Sequence, residues 1–220
     1  MPRLLVLRPE PGASATAERA RACGLDVVVM PLFEVERVGW ESPGPTEFDG
    51  VLLTSANAIR HAGEGLETLR GLKAYAVGEA TADAARDAGF DIAATGDAGV
   101  ERLLGSIEAD LKLLHLCGED RVGHDARQTI TPLVIYRSKA VEAPDLSSAK
   151  GGIALIHSPR AARRLAELIY DRSSIIIAAI SDAAANAAGD GWMQVAVADQ
   201  PSDEALLALA TSLCNKPDPE

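Results

Sequence analysis

The stretch Val51-Leu-Leu-Thr-Ser-Ala-Asn57 has a counterpart 103 residues further on, Ala154-Leu-Ile-His-Ser-Pro-Arg160. Each is an apolar run of strand length ending in a small hydroxyl residue that can start a helix. The match continues at the same offset. Arg60 falls on Arg163, Gly78-Glu-Ala-Thr-Ala82 on Ser181-Asp-Ala-Ala-Ala185, and Glu101, Leu103 and Leu104 on Glu204, Leu206 and Leu207. A strand followed by an Ala-rich helical segment is a βα unit, and repeated βα units build a parallel sheet covered by helices.

The rest of the chain forms a second, looser pair. Leu4 to Val38 reads strand, Pro/Gly loop, helix, strand, then Pro31-Leu-Phe-Glu-Val35. Lys112 to Val141 reads strand, Gly loop, helix, then Pro132-Leu-Val-Ile-Tyr136. Both close on an alternating, charged tail of the kind a half-exposed strand carries, Phe33–Val38 and Ile135–Val141. Two like tails at matching places suggest a two-stranded antiparallel ladder. The expected fold class is therefore α/β, with two flavodoxin-like parallel-sheet domains joined by that ladder. One domain combines residues 1–37 with 142–220, the other is an insert of residues 42–135, and residues 35–41 and 136–142 form the link.

The pattern predicts strands at Leu4–Leu7, Asp26–Met30, Gly50–Leu53, Ala74–Val77, Lys112–Leu116, Ile153–His157, Ile175–Ile180 and Met193–Ala196. Helices are predicted near Ser14–Cys23, Ala56–Ala62, Ala80–Ala88, Val100–Ile107, Arg160–Ile169, Asp182–Ala188 and Asp203–Leu213, with Gly24 and Gly89 as C-terminal stops.

Composition agrees with a globular chain: 47% hydrophobic and 24% charged residues, but only 4% aromatic, so Ala, Leu, Ile and Val must build the core. A net charge of −11 argues against nucleic acid or an anionic membrane as partner. A polyanionic substrate would need a local basic cluster, for which Arg8, Arg137 and Arg160 are the candidates. Cys23, Cys117 and Cys214 are odd in number and show no metal-ligand spacing, and Cys117 lacks a neighbouring base. The apolar run at the N-terminus is too short for a signal peptide, and no stretch reaches membrane-span length, so a cytoplasmic chain is expected.

Phosphate loops, dinucleotide fingerprints and nucleophile elbows are missing from the sequence. The informative residues are small polar ones at predicted C-terminal strand ends, where ligands bind in open α/β sheets. Thr54, Ser55 and Asn57 follow one strand, Gly78 and Thr81 another, and Ser158 and Arg160 a third. Capping alone accounts for Ser55, Ser158 and Thr81 equally well, although the free amides of a helix start also make an anion site. Solvated helix faces are the plain reading for many of Arg8, Arg60, Arg121, Arg137, Arg160, Arg163 and Arg164. Tyr136, at the edge of the predicted ladder, is either a core residue or one whose hydroxyl faces a cleft.

Taken in order, Val6-Leu-Arg-Pro9, Pro31-Leu-Phe-Glu-Val35, Asp49-Gly-Val-Leu-Leu-Thr-Ser-Ala-Asn57, Tyr75-Ala-Val-Gly-Glu-Ala-Thr-Ala82, Val134-Ile-Tyr-Arg137, His157-Ser-Pro-Arg160 and Pro201-Ser-Asp-Glu-Ala-Leu206 resemble the uroporphyrinogen-III synthase family. The resemblance implies two βα domains, no metal or organic cofactor, and a monomer acting on hydroxymethylbilane, a linear tetrapyrrole with eight carboxylates. It implies loss of the terminal hydroxyl and ring closure with inversion of the last pyrrole. Tyr136 matches the tyrosine proposed to assist departure of the hydroxyl. Thr81, Ser55 and Ser158 match residues of the substrate cleft, with Arg8, Asn57, Gly78, Arg137 and Arg160 as further substrate-binding candidates. Two positions depart from the family pattern: Ser181-Asp-Ala-Ala184 replaces a second Gly-x-x-Thr turn, and His157 replaces a threonine. A catalytically weak paralogue that binds a tetrapyrrole or another anion is therefore the alternative, and a two-lobed small-molecule binding protein a third reading.

Overall fold

The computed structural model describes residues 2–97, 99–121 and 123–215. In chain order the elements are β1 (Leu4–Val6), α1 (Gly12–Ala22), β2 (Val27–Val29), β3 (Phe33–Arg37), β4 (Gly50–Leu53), α2 (Ala56–Ala62), β5 (Lys73–Val77), α3 (Glu79–Asp87), β6 (Asp91–Gly96) and α4 (Val100–Ser106). They continue with β7 (Lys112–Gly118), β8 (Thr129–Ala140), β9 (Ile153–Ile156), α5 (Pro159–Leu168), β10 (Ile176–Ala179), α6 (Asp182–Ala188), β11 (Gln194–Val197) and α7 (Asp203–Cys214). Short 3-10 turns occupy Pro45–Glu47 and Gly63–Leu69.

The chain divides into two compact units, Met1–Glu34 with Lys139–Glu220, and Val35–Ser138. One sheet has the order β11-β10-β9-β1-β2, and the other β3-β8-β7-β4-β5-β6. Pairing is parallel throughout β11-β10-β9-β1-β2 and β8-β7-β4-β5-β6.

Strands buried on both faces need uninterrupted apolar runs, and β1, β4 and β9 supply them with every residue buried. In the first unit, Ala13, Ala17 and Ala20 of α1 and Leu206, Leu207, Ala210 and Leu213 of α7 cover one face with Leu4, Val6 and Leu155. Ala161, Ala162 and Leu165 of α5 and Ala184 and Ala188 of α6 cover the other with Leu5, Ala154 and Ile177. In the second unit α2 and α3 pack on Val51, Leu53, Leu114 and Leu116, and α4 on Leu52 and Leu113. The alanines let helix backbones lie close to the sheet, which explains a core with so few aromatic rings.

The duplicated segments fold alike. The run β4-α2-β5-α3-β6-α4 is repeated as β9-α5-β10-α6-β11-α7. Gly24 and Gly89 stop their helices with φ of 78° and 90°.

The structure differs from the expected pattern in three places. The helix expected between β7 and Pro132 is absent among the described residues, because Glu119–Gln128 carries Gly123, several turn formers and no apolar stripe. β8 instead begins at Thr129 and runs for 12 residues. Strand β6 was not expected, since an edge strand alternating exposed and half-buried positions around Ala93 and Ala94 has little hydrophobic signal.

Candidate active site

Parallel strands place all their C-terminal ends along one edge, and ligands bind where the winding order reverses. That corner lies between β4 and β7 in the second unit and between β9 and β1 in the first.

In the second unit, β4 runs out into Thr54 and Ser55. Ser55 is extended (φ −156°, ψ 138°) and caps α2, its Oγ accepting from the Asn57 amide at 3.2 Å. Thr54 Oγ1 lies 3.0 Å from Nε2 of His115, a residue only 2% exposed in mid-β7. Burial, then the neighbouring His124 and Arg121, pushes the His115 pKa down to about 4, so the ring is neutral at neutral pH. The His124 ring stands 5.3 Å from that of His115, and both its nitrogens are sealed from solvent without a hydrogen-bond partner. At the end of β5, Gly78 (φ 82°) is the cap of α3, a conformation that favours glycine. Thr81 is therefore not a cap but a buried first-turn residue, its amide bonded to the Gly78 carbonyl at 3.0 Å.

Tyr136 stands on β8 and packs against the cluster of Leu114, Leu116 and Ile135. Burial raises its pKa, the nearby Ser55 pulls the other way, and Cys117 adds to the rise. The net effect holds the phenol protonated. The His61 ring lies 6.0 Å away. Cys117 is buried, donates to the Leu133 carbonyl at 3.5 Å and has a raised pKa because of that burial, which makes it a packed thiol. Arg137 points both Nε and Nη2 at Glu36 Oε2, at 3.2 and 3.0 Å.

The first unit's corner is ionic. Arg8 follows β1, and Asp203 begins α7 behind the cap Ser202. The Asp203 carboxylate accepts from Arg8 Nη1 at 3.3 Å, Thr16 Oγ1 at 2.8 Å and Arg19 Nη2 at 2.6 Å, and lies 2.7 Å from His157 Nε2. Its burial would raise the pKa, but hydrogen bonds from His157, Thr16 and Arg19 outweigh that and hold the carboxyl well below the usual range. Arg8 lies across Gly12, where any Cβ would meet its guanidinium. Ser158 caps α5 through the Ala161 amide at 3.2 Å, and Arg160 places its guanidinium 4.4 Å over the Phe33 ring.

Residues 14–208 match the family model described as uroporphyrinogen-III synthase HemD. The chain belongs to the uroporphyrinogen-III synthase family. A uroporphyrinogen-III synthase from Chlorobaculum parvum is 32% identical over 90 residues, which span 37% of this chain and 37% of that protein. The crystal structure of uroporphyrinogen-III synthetase from Helicobacter pylori covers 96% of this chain and 99% of its own, at 20% identity and a TM-score of 0.67. A mutant uroporphyrinogen III synthase from Thermus thermophilus covers 98% and 100%, at 17% identity and a TM-score of 0.53. At such identities the two structures speak for the shared α/β fold.

Within this family fold, Ser55, Asn57 and Tyr136 share the corner of the second unit, and Gly78 and Thr81 sit at the adjoining strand end. Arg8, Ser158 and Arg160 belong to the first unit. Of the arginines expected to make a positive face, Arg8 is paired with Asp203 and Arg137 with Glu36. Sequence reading did not single out Asp203, Thr16, Arg19, His115, His124 or Gly118. For Asp203 the available signal was the replacement of a threonine by His157, since a histidine at a strand end invites a carboxylate. Among the described residues no group of three His, Cys, Asp or Glu side chains is placed to hold a metal ion, and no helix is long and apolar enough to cross a membrane. A hollow of about 490 Å³ beside Tyr170 and Arg172 lies before β10, at the opposite edge from these strand ends.

Proposed function

We propose that this chain is a cytoplasmic cyclising lyase that closes hydroxymethylbilane with loss of water and inversion of the last pyrrole ring. The observation that carries the reading is Tyr136, a protonated phenol at a sheet corner, its hydroxyl end lying against Gly118. As the terminal C–O bond breaks, the pyrrole nitrogen supplies the electron pair and the phenol donates to the departing hydroxyl, which leaves as water. The last pyrrole attacks the resulting azafulvene through its substituted α-carbon to give a spiro intermediate. The older methylene bond at that carbon then breaks, the ring turns over, and closure at its free α-carbon releases the ring proton that restores the phenol, so no oxidant or cofactor enters the balance. Ser55, Asn57, Gly78, Thr81, Arg137, Ser158, Arg8 and Arg160 are proposed to bind the carboxylate-rich substrate, with helix-start amides sharing the work. Residues 1–37 with 142–220, and 42–135, are proposed as the working domains, linked through residues 35–41 and 136–142.

A second reading, a tetrapyrrole- or anion-binding protein with weak turnover, draws support from one observation: Arg8 is already engaged by Asp203. Incubation with freshly generated hydroxymethylbilane and separation of the product isomers tests both. The inverted isomer formed in excess over the uncatalysed product supports the synthase. Tight binding with only the non-inverted product supports the second reading.

A further inference from the structure

The pairing of β7 with β8 carries one irregularity, and it lies at Tyr136. The register runs Leu116 with Leu133 and Cys117 with Val134, then jumps to Gly118 with Tyr136, leaving Ile135 as an extra residue. Strand side chains alternate between faces, so an unbroken register would have set Ile135 opposite Gly118 and turned Tyr136 to the other side. The bulge keeps both Ile135 and Tyr136 against the cluster of Val51, Leu53, Leu114 and Leu116. Beyond it the ladder resumes, with the Glu119 amide donating to the Tyr136 carbonyl at 2.9 Å.

The residue facing the re-aimed tyrosine is Gly118. Its backbone lies outside the left-handed region, so conformation does not demand glycine there. Space does. A Cβ on Gly118 would stand 2.8 Å from Cε2, 2.9 Å from Cζ and 3.2 Å from the phenol oxygen of Tyr136. The colliding atoms are the hydroxyl-bearing end of a flat ring with only two torsions, so relief means moving the hydroxyl itself. Glycine within a strand often marks such a close approach.

We propose that Gly118, with the bulge at Ile135, is a positioning residue that seats the Tyr136 phenol at the β4–β7 corner. This rests on the reading of Tyr136 as the acid of the cyclisation. Catalytic geometry tolerates little displacement, a shift near 1 Å being able to cost about a hundredfold in rate.

Gly118→Ala, Tyr136→Phe and the double variant test it, with turnover, melting temperature and NMR of ring-labelled tyrosine as readouts. Only Tyr75, Tyr136 and Tyr170 contribute ring signals, and loss of one in Tyr136→Phe assigns it. Gly118→Ala is expected to shift the Tyr136 signal and lower kcat roughly tenfold to a hundredfold, with KM within about twofold. On the Tyr136→Phe background it should lower kcat no further. An unmoved Tyr136 signal, or the same kcat loss on both backgrounds, overturns the proposal. If Tyr136→Phe keeps full activity, the acid role fails, and the ring signal alone still decides whether Gly118 sets the ring. Should Gly118→Ala unfold the protein, adding Tyr136→Leu removes the ring from the collision and should restore the melting temperature. Failure to restore it shows that Gly118 serves something other than the tyrosine.

Discussion

The two units share one strand order, β11-β10-β9-β1-β2 and β6-β5-β4-β7-β8, yet they fill the corner where that order turns with opposite chemistry. Leu4 pairs with Ile153 and Leu113 with Gly50, and the 103-residue offset links Ile153 to Gly50. Arg8 therefore corresponds to Cys117, His157 to Thr54 and Asp203 to Val100. The cause lies in one element. Between β1 and β2 stands α1, whose Thr16 and Arg19 help Arg8 and His157 surround a buried carboxylate. Between β7 and β8 the described residues form no helix; they bring His124 and Arg121 beside His115, and the position matching Asp203 is the apolar Val100, so no carboxylate gathers donors there. A mostly buried carboxylate with several donors braces α1 against α7, whereas the other corner holds a neutral imidazole and a protonated phenol, the kind of group the proposed proton transfer needs. On the proposed reading the second copy carries the proton transfer, and in the first copy Asp203 is a brace.

The largest expected effect breaks this comparison most directly. Tyr136→Phe should lower kcat by about 10²–10⁴ with little change in melting temperature, the range general-acid help supplies. Asp203→Asn should lower the melting temperature and leave kcat within about tenfold. If Asp203→Asn stops turnover and Tyr136→Phe does not, the chemistry belongs to the first unit.

Acid should separate the corners next. The His115 pKa is lowered to about 4 in the folded chain, against an ordinary 6.5. Between those values the unfolded chain binds a proton that the folded chain refuses, so stability is full above about pH 6.5 and falls toward pH 4, by roughly 3 kcal/mol in all. The Asp203 pKa is lowered as well, from the carboxylate value, so its contribution is full above about pH 4 and is lost as pH falls further, through its folded value. Melting temperature against pH should therefore flatten in the upper window for His115→Gln and in the lower window for Asp203→Asn. Flattening of one window by both variants would mean that the two corners do not titrate independently.

Asp203→Ala sharpens the picture of the brace. It removes the acceptor shared by Arg8, Thr16, Arg19 and His157, and hydrogen bonds to charged groups contribute about 1.5–3 kcal/mol. Arg8 and Arg19 are 33% and 51% exposed, so water takes over part of their interactions. Denaturant unfolding should show a loss of about 2 kcal/mol. A loss under about 0.5 kcal/mol would reduce the network to surface ion pairs.

This contrast also marks what could be read from the sequence. Gly50–Leu53, Ala56–Ala62 and Asp182–Ala188 were legible to the residue, because apolar strand runs and Ser-capped Ala helices are local signals. Ser55 and Ser158 were legible as caps for the same reason. The Asp203 network was not, since Arg8 and His157 lie 195 and 46 residues from it along the chain. Nor was Gly118, whose meaning depends on a register shift that no pattern in Lys112–Gly118 announces. His115 read as one more residue of an apolar strand, and only the meeting with Thr54 and His124 makes it titrate unusually.

The smallest effect concerns the turn where the copies differ by a hydroxyl and a methyl, Thr81 in the second unit and Ala184 in the first. Both are buried in the first turn of their helices, α3 and α6. Thr81→Ala should hardly change stability. Alanine gains up to about 0.7 kcal/mol of helix propensity, while the lost methyl gives up about 0.8 kcal/mol of burial. If the hydroxyl meets substrate, the same variant loses one neutral hydrogen bond, about 0.5–1.5 kcal/mol. That corresponds to a fall in kcat/KM of roughly twofold to tenfold, which Thr81→Ser should largely avoid. Ala184→Thr should leave kcat/KM unchanged if, as proposed, the proton transfer belongs to the second unit's corner. Steady-state kinetics of the three variants beside their melting curves decides the matter. A Thr81→Ala enzyme with unaltered kcat/KM would make the hydroxyl a packing group, and a gain of activity in Ala184→Thr would return part of the chemistry to the first unit.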